Sequence, residues 1–509
     1  VAGAHAAAKP EPVAEPGPAA AVLDEVVDAA SLKRRARLGI FVLIGRTVAL
    51  QLTILGGNVY LARALGPVDY GAFAIVSFAL GFFALFGDAG LGASLVQKKQ
   101  EPTQAEMSSV WWMQVILSSV VIAIVCSAAG VIVRFWPDMP RDATWLLRAL
   151  SVSLLLTALR IMPTILLERH LDYTRLSILD FVLTIVFYGT AVALAYLGFG
   201  VRALVYAVVA QGAVGVVLAY AFRPWRPSFL LDREKLRPMM KFGITYQMKS
   251  IVGFVNGGVT PVYAGAVLGR YGLGLVTFAQ TTAYFPLKLV EIMGRVNFPL
   301  YSRLQGDPEQ FAKSLERSVQ ICAMSTLFFV GLFFGVGEDV VRIIYGEQWL
   351  PALPSFYVFT GAISIGFLCP LVAAALDASG RPGVVFRLSI GWTTLNWAVV
   401  IGTMFFLKTA LAFTVAYCVH VVVGNLAVVL VTRKLIPQAH IWPRVRASIL
   451  GAAALGFFLR FAVHPWTRGP LTLITAVLVA VVVFTAVMFV LDRSAVDEAF
   501  AMIRKKKTS

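Results

Sequence analysis

Leu61-Ala62-Arg63-Ala64-Leu65-Gly66-Pro67-Val68-Asp69-Tyr70-Gly71 is a short polar interruption between two long apolar runs, at about 38–62 and 70–96. Each run can cross a hydrocarbon core, which takes roughly 20 residues of helix. The same alternation of apolar run and short joint continues outward to about residue 491. It yields fourteen stretches, of which the seventh and eighth, about 240–267 and 274–299, also carry Gly, Pro and charged residues.

Composition leads to the same class. Of 509 residues, 59% are hydrophobic and only 14% charged, with mean hydropathy +0.79. A soluble domain has about 25% charged residues and could not hide this much apolar surface. The expected fold is therefore all-α and polytopic in a membrane. The formal net charge of +17 lies in short stretches between the apolar runs, which is how membrane helices are oriented and not how a nucleic-acid face is built. With the N-terminus inside, the cytoplasmic-side segments carry 28 Lys and Arg and the opposite joints carry seven. This bias predicts fourteen helices with both termini cytoplasmic. Eight of the ten tryptophans fall near predicted helix ends, as an aromatic belt requires.

The chain divides into a disordered, basic-ended lead (1–37), six helices (38–222), a basic linker (223–241), six more helices (242–432), a final pair (433–491) and a basic tail (492–509). A shift of 203 residues aligns the first two helices with the seventh and eighth, and beyond the second helix the offset drifts. It places Leu65-Gly66 on Leu268-Gly269, Gly71 on Gly274, Arg46 on Lys249 and Asp88 on Glu291. Charges inside apolar segments are rare, so two such matches argue against chance. An even-numbered repeat gives two lobes of the same orientation, related by a pseudo-twofold axis along the membrane normal, with a substrate path between them. The last two helices stand outside the repeat.

Several chemistries have no residues to perform them. The joints are short, so there is no soluble catalytic domain and no large external loop for a membrane glycosyltransferase or polymerase. No phosphate-binding GxxxxGK[ST] loop or HExxH metal motif occurs. The four cysteines are isolated within apolar runs, which indicates neither a zinc site nor a disulfide framework.

The joint at 61–71 resembles the one between the first two helices of Wzx-type polysaccharide flippases, in the multidrug/oligosaccharidyl-lipid/polysaccharide exporter superfamily. Gly87-Asp88-Ala89-Gly90-Leu91-Gly92-Ala93 is similar to the motif that ends their second helix, and Phe298-Pro299-Leu300-Tyr301-Ser302-Arg303-Leu304-Gln305-Gly306-Asp307 to the segment that ends their eighth. The likeness covers about residues 35–435; the long lead and the final pair depart from it. It implies a transporter and not an enzyme. Its cargo would be a polyprenyl-diphosphate-linked oligosaccharide, moved from the cytoplasmic to the outer leaflet for exopolysaccharide or O-antigen-type export. Its place would be a bacterial inner membrane whose lipids surround it, and a polysaccharide polymerase and chain-length regulator are candidate partners. A drug exporter of the same superfamily is the alternative, and a membrane glycosyltransferase or polymerase a more distant one.

A diphosphate cargo needs cations in a hydrated path, and each unpaired cation in hydrocarbon costs at least ~2.5–3.5 kcal/mol. Arg46 and Lys249 lie equally deep in the first and seventh helices and could clamp the headgroup from two sides; snorkelling or pairing with Asp88 is the bland alternative. Lys288, Glu291 and Arg295 share one face of the eighth helix, either lining the path or neutralising one another. Arg160 is a second-tier cavity cation, with Asp180 expected as a structural partner for an arginine. Four of the five best cavity charges are basic, which disfavours a cation exporter. Glu291 and Asp88 are candidate sites for a coupling H⁺ or Na⁺, the only cofactor expected. Gly257, Gly258 and Pro261 in the seventh helix, and Pro286 in the eighth, are candidate hinges.

Overall fold

The computed structural model describes residues 29–87, 92, 95, 100–136, 138–170 and 172–493. Helix α1 (Ala29–Gly87) runs 59 residues and is kinked at Gly66, where φ is 68° and ψ 177°. Only glycine visits that region readily. Pro67 starts the second arm, where its missing N–H removes no helical bond. The joint at 61–71 is thus a break within helix and not a loop.

Helices α2 (Gln104–Val133), α3 (Ala143–Arg169), α4 (Tyr173–Tyr196) and α5 (Arg202–Phe222) pack against one another. Thr103 opens α2 with a reciprocal cap: its hydroxyl accepts from the Glu106 N–H, and the Glu106 carboxylate accepts from the Thr103 N–H at 2.9 Å. The segment expected as a basic linker is anchored to α2. Trp225 donates to Gln104 Oε1 at 3.1 Å, Gln104 donates to the Arg226 carbonyl at 2.7 Å, and the buried Ser108 and Ser109 hydroxyls accept from the Ser228 and Asp232 N–H groups. Helix α6 (Arg233–Gly258) already begins within it.

The second half follows with a wide turn (Val259–Ala264), α7 (Gly265–Ala283), α8 (Leu287–Arg303), α9 (Pro308–Asp339), α10 (Leu353–Gly366), α11 (Leu368–Ala378), α12 (Pro382–Phe406) and α13 (Ala410–Leu435). Helix α7 is kinked at Gly269, with φ 67° and ψ −175°. The eighth predicted span is therefore two helices, α7 beyond its kink and α8, separated at Tyr284–Pro286. Asp307 caps α9 through the N–H groups of Glu309 and Gln310. These bonds favour the ionised carboxylate and hold its pKa below the ordinary range.

Helices α14 (Ile441–Phe458) and α15 (Pro470–Leu491) complete the chain, and α14 lies against α9. Small residues make this approach possible: a Cβ on Gly331 would come within 2.7 Å of the Ala452 carbonyl. Among the described residues, twelve helical stretches are long and apolar enough to cross a membrane. Two of them contain the Gly66 and Gly269 kinks.

Candidate transport path and its closure

The two kinks meet. A Cβ on Gly71 would overlap the carbonyl of Arg270, and a Cβ on Gly274 would overlap the carbonyl of Pro67. Gly71 and Gly274 are 203 residues apart, and so are Pro67 and Arg270. Each half therefore presses the backbone just after its own kink into a glycine of the other, which is the reciprocity of a local twofold relation.

Tryptophans from two further joints brace this crossing. Trp349, fully buried, donates its indole N–H to the Ala62 carbonyl at 2.9 Å and stacks on Phe278 with ring centres 4.1 Å apart. Beside it, Gln348 donates to the carbonyls of Ala62 and Arg63, both at 2.9 Å. Arg63 returns the contact, donating Nε to the Ile344 carbonyl at 2.7 Å and Nη2 to that of Ile343. On the other side, Trp136 donates to the Pro261 carbonyl at 3.0 Å and lies against Gly265. The Asp138 carboxylate, on a residue with φ 65°, stands beside Gly269. An Arg202–Asp142 pair at 2.6 Å links the neighbouring joints.

The hinge candidates coincide with departures from α geometry. Gly257 and Gly258 immediately precede the wide turn that contains Pro261. Carbonyls at this irregularity take side-chain donors: Trp136 on Pro261, and Trp397 on Val255 at 2.9 Å. Phe78 of α1 stacks on Phe254 at 4.7 Å and lies 3.1 Å from where a Gly258 Cβ would stand. A helix stripped of α hydrogen bonds and side-chain bulk at one point can bend there. Pro286 ends the turn that separates α7 from α8.

The charged candidates divide into three groups. Lys288 and Glu291 form the expected pair, Nζ to Oε2 at 3.2 Å, on the exposed face of α8, with side chains 69% and 52% accessible. The opposite face of α8 is buried through Val290, Asn297 and Tyr301. Both charges therefore lie open to an aqueous path or to lipid, and lipid would tolerate neither cheaply. Arg160 lies elsewhere. It runs along α5 with Nη1 3.1 Å from the position of a Gly215 Cβ, and Asp180 of α4 is the acid that acts on its charge. Arg46, Lys249 and Arg295 lie in helix, but their side chains are outside the described residues, and Asp88 is wholly outside them. His420, buried in α13, has its Nδ1 against the Tyr417 carbonyl, as a hydrogen-bonded core histidine does.

Sequence reasoning placed Trp136 and Trp349 in an interfacial belt and assigned Gln348 and Asp138 nothing. The signal available was positional: both tryptophans follow, by three or four residues, the ends of helical stretches at Val133 and Tyr345. Among the described residues, no group of three or more His, Cys, Asp or Glu could hold a metal ion.

Residues 60–354 match a family described as Polysaccharide biosynthesis protein. The chain is 21% identical to the teichuronic acid biosynthesis protein TuaB of Bacillus subtilis over 60% of this chain and 63% of that one. It is 26% identical to the succinoglycan biosynthesis transport protein ExoT of Rhizobium meliloti over 64% and 66%. The lipopolysaccharide biosynthesis protein WzxC of Escherichia coli is 21% identical over 67% and 70%. The chain thus spans a little under two thirds of the length of the first two relatives. Its fold matches an inward closed lipid II flippase MurJ with TM-score 0.69 at 12% identity, over 88% of this chain and 99% of that one. It also matches an inward-facing multidrug resistance MATE family transporter with TM-score 0.62 at 15% identity, over 76% and 94%.

Proposed function

The chain belongs to the polysaccharide biosynthesis protein family, and from that premise we propose that it is an inner-membrane flippase. Its cargo is a polyprenyl-diphosphate-linked oligosaccharide, carried from the cytoplasmic to the outer leaflet without covalent chemistry. Relatives named for succinoglycan transport and for lipopolysaccharide biosynthesis support that cargo class. Two six-helix lobes work by alternating access, fourteen helices cross the membrane in all, and a polysaccharide polymerase receives the product.

The observation that carries this reading is the reciprocal closure at Gly71–Arg270 and Gly274–Pro67. Alternating access requires two halves that touch on one side of the membrane and can part there. The joints that meet contain Arg63, Arg202 and Arg270, which belong to the sparsely charged side. That side faces outward under the positive-inside rule, so the closure seals the exterior and the path opens inward. Six side-chain hydrogen bonds brace it. At about 0.5–1.5 kcal/mol net each, they hold roughly 3–9 kcal/mol. Reversing a two-state population from 1:99 to 99:1 takes about 5.5 kcal/mol. Cargo binding, or an H⁺ or Na⁺ gradient acting through Glu291 or Asp88, can supply that.

The test is reconstitution into liposomes with a fluorescent polyprenyl-diphosphate oligosaccharide in both leaflets and an impermeant quencher outside. Protein-dependent quenching beyond the outer-leaflet half is expected. Quenching equal to that of protein-free vesicles rejects the reading. Reporter fusions near Gln348 and after Ser509 are expected to be external and cytoplasmic respectively; an external terminal fusion rejects the orientation.

A further inference from the structure

A seam runs along α14 where it leaves α13, with α10 as its floor. Its first part is a cavity of about 590 Å³ between α13 and α14, lined by Leu426, Val429 and Ile449 and ending at Arg433. Its second is a cavity of about 460 Å³ between α9 and α14 that reaches Arg460. Ser364 and Ile449 line both, so the two are adjacent along the helix. From His440 to Arg460 the seam follows twenty residues of chain, roughly 30 Å of helix, which is the thickness of a hydrocarbon core.

Its two ends differ in how their cations are paired. At the far end Arg460 is held by Glu338 at 3.7 Å, and the same carboxylate takes Arg342 at 2.7 Å. At the near end the buried Glu316 accepts from the His440 N–H at 2.6 Å and from Arg444 Nε at 3.3 Å. Arg433, in the last turn of α13 beside Lys434, pairs with no acid among the described residues. Trp442, 65% exposed, stands at the same mouth, where an indole suits the headgroup region.

We propose that this seam binds an anionic glycerophospholipid. Its phosphate lies at Arg433 and its acyl chain runs in the groove past Leu426, Val429 and Ile449. Apolar walls select a chain, and the unpaired cation at one end selects both the sign of the headgroup and the leaflet. A basic pocket between membrane helices recognises anionic headgroups in this way. The bound lipid fills the space between the appended helix α14 and the repeat. This site is separate from the Lys288–Glu291 face and does not depend on the flipping activity.

Native mass spectrometry of the purified full chain tests it, titrating phosphatidylglycerol and phosphatidylcholine with the same acyl chains. Phosphatidylglycerol is expected to half-saturate one site at a concentration about fivefold lower, the selectivity of one unpaired cation. Arg433→Gln should abolish that preference and Arg433→Lys should keep it. Leu426→Trp, which fills the groove, should lower occupancy by both lipids. Equal binding of the two lipids by the unaltered chain, or an unchanged preference in a normally eluting Arg433→Gln, overturns the proposal. Undiminished occupancy in Leu426→Trp overturns the groove as its seat.

Discussion

Gly66 and Gly269, 203 residues apart, hold nearly the same backbone conformation, φ 68°, ψ 177° and φ 67°, ψ −175°. Glycine alone adopts it without strain. The two halves thus carry the same kink in register, and the glycines that follow them, Gly71 and Gly274, are where the halves touch.

Gly66→Ala and Gly269→Ala should each destabilise the closed state by about 1–3 kcal/mol, the cost of forcing a side chain into this region. Gly71→Ala and Gly274→Ala should separate the backbones instead. Because all four act on one crossing, a Gly66→Ala, Gly274→Ala pair should be non-additive. Thermal unfolding in detergent measures both effects, and strict additivity would show that the crossing is not one unit.

Trp349→Phe keeps an aromatic ring on Phe278 but removes the donor to the Ala62 carbonyl. The expected cost is about 1 kcal/mol for that bond. Trp136→Phe should do the same at Pro261. Each variant should make a cysteine placed at Ala62, buried in the closed state, more reactive from outside, since the closure would open more often. Unchanged labelling would mean that the indoles pack without latching.

Lys288 and Glu291 are exposed and three residues apart, so their pairing contributes only about 0.2–1 kcal/mol. Glu291→Gln should leave thermal stability nearly unchanged. If the pair lines the cargo path, the same variant should slow flipping at least tenfold and alter any cargo-linked H⁺ or Na⁺ flux. Normal flipping and flux would reduce the pair to a surface neutralisation.

Arg46→Ala with Lys249→Ala should abolish flipping while the protein still inserts and purifies. Arg46→Lys should retain partial activity if charge dominates over the bidentate geometry of a guanidinium. Full activity in the double variant would remove the clamp. Arg160→Ala should behave differently and lower stability first, because its guanidinium is packed along α5 near Asp180.

What the sequence determined by itself was whatever local chemistry dictates. Apolar runs about 20 residues long must satisfy their backbone hydrogen bonds internally, so helix in a membrane was legible from composition and spacing. The 203-residue register was legible because glycine and intramembrane charge are both costly out of place. The Lys288–Glu291 pair was legible because three residues along a helix bring side chains to one face. Tertiary structure alone decided that the Gly66 and Gly269 kinks cross and that Trp136 and Trp349 reach into the opposite half. It also decided that Arg160 lies within the first helix group and that the linker at 225–232 is tied to α2. These contacts join residues 55 to 287 positions apart, and no local propensity encodes which distant carbonyl an indole will find. The kink angles and the packing of whole helices set that distance, and they exist only once the halves have come together.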